Sequence, residues 1–230
     1  MRLSGPALAI FAKQPLPGQV KTRLCPPLTA EQAADLYEVS LRETLDRFTA
    51  TNLSPVLCYS GQRQWFAAQF PETPLLLQSD GDLGQRLAAA TTALFDAGAS
   101  PLLIVGSDSP DLPLALVDQA LSSLSAFDLV TTPANDGGFV LVGMRQATPE
   151  IFLEIPWSSP QALAATLRQA RRQGLSYQET GSWSDLDEFD DLAQLLQRSP
   201  QSRTARHIRS HLGPLFQDPL SVDLPQTADR

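Results

Sequence analysis

The chain has 230 residues, of which 43% are hydrophobic and 18% charged, a balance that makes a globular protein with a sizeable core. Its net charge of -8 argues against non-specific binding to nucleic acid or to an anionic membrane. Cys25 and Cys58 are too few for a disulfide framework or a cysteine-rich metal site, no apolar run reaches membrane-spanning length, and the first apolar run is too short for a signal peptide, so a cytoplasmic protein with no membrane insertion is expected.

The first strand is expected over residues 6–12. It runs directly into a Pro/Gly loop carrying Lys13, Lys21 and Arg23. Residues 1–30 hold four basic residues and no acidic one, a positive island on an acidic chain. A buried strand feeding a basic loop suits an anionic ligand: the strand fixes the loop, Gly18 lets the backbone come close, and the cations meet the charge. Thr29 and Gln32 then match a capping box, and Ala34, Tyr37, Leu41, Leu45 and Phe48 make one face of a helix. Residues 55–59 read as a second strand, 62–70 as a short helix and 74–78 as a third, edge strand. A helix on Leu83, Leu87, Ala90, Leu94 and Ala97 ends at Gly98. Residues 101–105 (PLLIV) show no alternation, so both faces should be buried. After that strand come Asp108 and Asp111, then a helix burying Leu114, Val117, Leu121 and Leu124. Strands over 128–132 and 139–144 are joined by a loop holding Asn135, Asp136, Gly137 and Gly138, which suggests one antiparallel pair. Ser158 and Gln161 read as a second capping box before a helix that stops at Gly174, and residues 175–178 as a last strand. Asp187 opens the final helix on Phe189, Leu192 and Leu196. Residues 1–198 are expected to form a single domain, with 199–230 an extension or partly disordered tail.

Strand and helix alternate most of the way, which argues a three-layer α/β/α fold around a mostly parallel sheet. In such sheets ligands lie outside the carboxyl ends of the strands, and the polar clusters fall there. A carboxylate after a buried central strand, beside a basic loop, suits magnesium, which takes one or two protein carboxylates plus phosphate oxygens and water. Asp108 is the first candidate. Asp111 reads as an N-cap as readily as a ligand, and Asp187 is divided in the same way. Arg86 sits in a helix's first turn, where a cation opposes the dipole, which favours a ligand contact. Trp157 and Trp183 flank loops, where each would shelve an acceptor or cover the core. His207 and His211 have metal-pair spacing but no matching carboxylate. The first loop lacks the glycines of a Walker A or dinucleotide fingerprint.

Taken together, the motif spanning Phe11, Ala12, Lys13, Pro15, Pro17, Gly18, Val20, Lys21, Thr22, Arg23 and Leu24 resembles the opening of a bacterial family in the GT-A superfamily of nucleotide-diphospho-sugar transferases, some of whose members are linked to arsenosugar biosynthesis. Further matches are Gly81, Asp82, Leu83, Gly84 and Arg86; Gly106, Asp108, Pro110 and Leu112; Pro133, Ala134, Asp136, Gly137 and Gly138; and Trp183, Asp185, Leu186 and Asp187 running into Asp191 and Leu192. The likeness covers about residues 6–197 and extends to phospholactate and molybdenum-cofactor guanylyltransferases. It implies a GT-A-like, Rossmann-like fold. It also implies nucleotide contacts at Ala12, Lys13, Gly18, Lys21, Arg23 and Asp82, and Mg²⁺ or Mn²⁺ on Asp108 and Asp187. Gly137 and Gly138 would meet substrate, with Asp136 and Arg86 in catalytic roles. The expected partners are a nucleotide or nucleotide-sugar and a small acceptor. The expected reaction is sugar transfer from a nucleotide-diphospho-sugar. Two alternatives stand beside it: nucleotidyl transfer releasing pyrophosphate, and a non-catalytic nucleotide-binding module.

Overall fold

The computed structural model describes residues 1–216. Within them seven strands form one sheet: β1 (Gly5–Lys13), β2 (Ser54–Ser60), β3 (Leu75–Leu77), β4 (Ala99–Gly106), β5 (Leu129–Pro133), β6 (Phe139–Met144) and β7 (Tyr177–Glu179). Their spatial order is β3-β2-β1-β4-β6-β5-β7. Only β6 is reversed, antiparallel to both β4 and β5. The other pairs are parallel, so β1, β2, β4 and β5 end on the same side. The fold is the expected three-layer α/β architecture, with β3 at the edge.

Helices α1 (Ala30–Thr49), α2 (Arg63–Gln69) and α4 (Leu114–Ser123) cover one face, and α3 (Leu83–Asp96) and α5 (Ala162–Arg172) the other. Strand β1 explains why its sequence looks continuously apolar. Leu8, Ile10 and Ala12 pack towards Leu41, Leu45 and Val117, while Ala7 and Ala9 pack towards Leu87, Leu94 and Leu167. Burying a side chain such as Leu8 or Ile10 completely contributes about 1.5–3 kcal/mol. The α1 capping box forms as read: Gln32 N donates to Thr29 Oγ1 at 3.2 Å, and Thr29 N donates to Gln32 Oε1 at 2.9 Å.

Three local expectations are corrected. Ser158 does not cap α5; its φ of 60° lies outside the extended region a cap residue needs, and α5 starts after Gln161 without a side-chain cap. Helix α6 (Phe189–Arg198) starts two residues later than expected, capped by Glu188 with Asp191 at its third position, so Asp187 precedes the helix. Asp111 is not the cap of α4, which follows Pro113. Its carboxylate is instead buried, accepting Arg198 Nε at 2.7 Å, Arg198 Nη2 at 3.0 Å and Ser199 Oγ at 2.7 Å.

Beyond α6 the chain folds onto α1 as far as residue 216, and the rest of the expected tail lies outside the described residues. Glu43 of α1 caps α7 (Arg203–His207) across the molecule, accepting Arg203 N and Thr204 N, each at 2.8 Å. Ile208 and Leu212 then join Leu24, Leu36, Leu192 and Leu195 in an apolar cluster. Among the described residues no helix is long and apolar enough to cross a membrane.

Candidate active site

A cleft of about 450 Å³ opens at the carboxyl ends of β1, β4 and β5. The elements feeding it explain its chemistry. Strand β1 delivers Lys13, and β4 delivers Ser107 and Asp108. The turn between β5 and β6 delivers Asp136 and Gly138, and the first turn of α3 delivers Arg86. The loop after β7 runs beside the end of β5, with Thr180 N donating to Thr131 O and Trp183 N to Pro133 O. It then crosses to β4, where Leu186 N donates to Asp108 O at 2.9 Å. That crossing places Asp185 and Asp187 beside Asp108, residues separated by most of two βα units in the chain.

Lys21 lies at the centre of these acids. Its ammonium donates to Asp108 Oδ1, to Asp187 Oδ1 at 3.1 Å and to the Leu186 carbonyl. Its side chain is only 5% exposed. Burial alone would lower the Lys21 pKa, but Asp108 and Asp187 outweigh it and hold the ammonium well above the ordinary lysine value. Arg23 Nη1 reaches Asp187 Oδ2 at 3.3 Å from a more exposed position. By contrast, among the described residues neither Lys13 nor Arg86 meets a carboxylate within ion-pair distance. Arg86 spends Nε on Gly81 O at 2.9 Å and keeps its other N–H groups at the cleft.

The remaining expected site residues divide. Ala12 lines the cleft, its carbonyl accepting from Gln78 Nε2 at 3.2 Å. Asp136 accepts Gly138 N at 2.8 Å through Oδ1. Gly137, with φ of 88°, packs against Pro160 so closely that a Cβ would meet the Pro160 carbonyl at 2.2 Å, which makes it a turn and packing residue behind the cleft wall. Asp82 is the N-cap of α3, bonded to Gln85 N at 2.9 Å, and lies away from the cleft lining, as does Gly18. Arg23 faces a smaller neighbouring recess shared with Asn135 and Glu188.

Two residues of the site, Asp185 and Tyr37, were given no site role from the sequence. Asp185 faces the same acids; burial first, then Asp187 and Asp136, pushes its carboxyl up to about 6. Its place two residues before Asp187 was the available signal. Tyr37 of α1 is buried with its hydroxyl 2.7 Å from Ser107 Oγ, and it accepts Lys13 N at 2.9 Å, which ties the ends of β1 and β4 together. Burial pushes that phenol up to about 12. The apolar end of the cleft carries Phe139 and Trp157, edge to face at 6.0 Å, and Leu83, which is exposed there where a buried helix face was expected.

Among the described residues no cluster of three or more His, Cys, Asp or Glu side chains is arranged to hold a metal ion. Asp108 and Asp187 nevertheless converge on a single point, the Lys21 ammonium. Two hard carboxylate donors so placed fit a cation that completes its shell with phosphate oxygens and water.

Residues 44–159 match the family described as "Uncharacterized protein conserved in bacteria (DUF2064)". A protein of Desulfovibrio desulfuricans G20, provisionally described as a nucleotide-diphospho-sugar transferase, is 30% identical with a TM-score of 0.86, over 94% of this chain and 98% of that one. The same fold, at 10% identity and a TM-score of 0.56, occurs in CMP:2-keto-3-deoxy-manno-octonic acid synthetase complexed with CTP, over 86% of this chain and 99% of that one. A cytidylyltransferase from Leptospira borgpetersenii shares it at 12% identity and a TM-score of 0.52, over 94% of this chain and 98% of that one. No curated protein matches the sequence.

Proposed function

The chain belongs to the DUF2064 family of bacterial proteins, and from that premise we propose that it is a cytoplasmic, divalent-cation-dependent transferase that takes a nucleotide-diphospho-sugar as donor and a small molecule as acceptor. The observation that carries the reading is the charge pattern of the cleft. Two cations that meet no carboxylate among the described residues, Lys13 and Arg86, face a cluster of carboxylates centred on Asp108 and Asp187. An anion with bound metal complements both halves at once, whereas neither a neutral ligand nor a bare cation does.

In this reading Lys13 and Arg86 bind the diphosphate, and Asp108 and Asp187 hold Mg²⁺ or Mn²⁺. The metal, when bound, supplies charge stabilisation for the departing diphosphate. Asp136 orients the acceptor hydroxyl and accepts its proton; its carboxylate is already aimed by the Gly138 N–H. Phe139, Trp157 and Leu83 shield the far end of the cleft from water.

A second reading, nucleotidyl transfer, is favoured by the number of cations around the cleft: Lys13, Lys21, Arg23 and Arg86 exceed what a diphosphate needs. There a phosphorylated acceptor attacks the α-phosphate and pyrophosphate leaves. A thermal-shift panel of nucleotide-sugars and nucleoside di- and triphosphates, with and without Mg²⁺, tests both. A Mg²⁺-dependent rise in melting temperature is expected for a nucleotide-sugar. Turnover then distinguishes them, with nucleoside diphosphate released in sugar transfer and pyrophosphate in nucleotidyl transfer. A flat response across the panel removes both readings and leaves only the fold.

A further inference from the structure

The position of Lys21 says more about how a cation enters. We infer that the Lys21 ammonium stands where the divalent cation would bind, so that the site takes metal efficiently only together with a nucleotide's phosphates. This inference rests on the functional reading above. An ammonium has three donors, and all three are used: on Asp108, on Asp187 and on the Leu186 carbonyl. None remains for a phosphate in this arrangement. The side chain is nearly shut from water, and its backbone holds φ 49° and ψ 37°, a left-handed conformation that a non-glycine residue adopts at a cost and keeps only where surrounding contacts impose it. The loop is therefore shaped to place this one charge between these two carboxylates.

A bare divalent cation approaching Asp108 and Asp187 meets a like charge already bonded to both. It must displace an ammonium whose three donors are already satisfied by Asp108, Asp187 and the Leu186 carbonyl. A nucleotide changes that balance. Its phosphates, drawn by Lys13 and Arg86, offer Lys21 a new anionic partner, and the two carboxylates become available to the cation. Metal and phosphate then assist each other's binding by the same factor, as linkage requires. Lys21 serves as a counter-ion in one state and a phosphate ligand in the other. The ligand class that fits is a divalent metal–nucleotide chelate.

The test is the affinity of Mn²⁺ alone, followed by electron paramagnetic resonance, for wild type, K21M and K21Q. Removing the ammonium should tighten Mn²⁺ binding about tenfold or more, since each tenfold requires only a modest change in interaction free energy. K21Q keeps a donor for the Leu186 carbonyl and guards against loss of the fold in K21M. Affinity equal to or weaker than wild type in a folded variant overturns the inference. If both variants unfold, Mn²⁺ should restore folding by taking the ammonium's place, and failure to do so also overturns it. The nucleotide panel separates this from the broader reading. A Mg²⁺-dependent nucleotide shift on wild type, with unchanged Mn²⁺ affinity in the variants, removes only the role of Lys21. A wild type that binds no nucleotide removes both.

Discussion

Four cations surround the cleft, yet they are not equivalent. Lys21 and Arg23 are engaged by Asp108 and Asp187, whereas Lys13 and Arg86 meet no carboxylate among the described residues. The distinction sets separate mutational signatures. Lys13→Ala and Arg86→Ala each remove a charge-assisted contact to phosphate, so each should weaken nucleotide binding by about 1.5–3 kcal/mol, roughly tenfold to a hundredfold, in a calorimetric titration. Their effect on the ligand-free melting temperature should be small, because Lys13 is exposed and Arg86 gives up only its hydrogen bond to the Gly81 carbonyl, worth about 0.5–1.5 kcal/mol. A large stability loss with unchanged affinity would assign them to the scaffold instead. This difference among the cations was not legible in the sequence, which shows basic residues in one loop but not the acids that come to meet them.

Among the secondary elements, the end of the sheet opposite the cleft shows what holds β5, β6 and β7 in register. Asp128, at the start of β5, accepts Ser176 N at 3.0 Å and Ser176 Oγ at 2.6 Å, and it pairs with Arg145. The Ser176 hydrogen bonds, with Arg145 adding to them, hold the Asp128 carboxyl below its ordinary value of 3.8. A lowered folded-state value means stability that is present above the unfolded value and lost as pH falls through the folded one. Asp128→Asn should therefore cost about 1 kcal/mol at pH 7, and the gap from wild type should narrow as pH drops below about 4. Melting curves at several pH values check it; a gap independent of pH would mean packing rather than charge. Elements like these were readable where their determinants are local. The Thr29 box, the edge strand β3 and the antiparallel β5–β6 pair all follow from short patterns. The Ser158 box has the same local pattern but fails, because the chain there turns through a positive φ before Pro160 packs behind Gly137. Asp108 was read from its place after a buried central strand, and Asp187 from the motif. Their convergence depends on the loop after β7 crossing the end of the sheet, which no local pattern encodes.

Across the whole molecule, the cleft depends on a buried latch remote from any ligand. Asp111, whose side chain is fully buried, is held by Arg198 and Ser199 from the end of α6, and the Arg198 guanidinium lies 4.9 Å over the Trp183 ring. Arg198 Nη2 also donates to the Ser184 carbonyl at 3.1 Å, one residue before Asp185 and three before Asp187. One charge pair therefore joins the loop after β4, the loop carrying the cleft acids, and α6, with partners 87 residues apart in the chain. Asp111→Ala leaves Arg198 without its carboxylate and should cost about 3–5 kcal/mol. In a chain of this size that is a fall of roughly 6–20 °C in melting temperature. Replacing both ends, with Asp111→Leu and Arg198→Met together, should recover much of the stability, since a well-packed apolar pair avoids the desolvation a buried ion pair suffers. It should not recover nucleotide affinity, because the Ser184 carbonyl loses its anchor and Asp187 its fixed approach to Lys21 and Asp108. Full recovery of both in the double variant would show that the latch stabilises the fold without positioning the site.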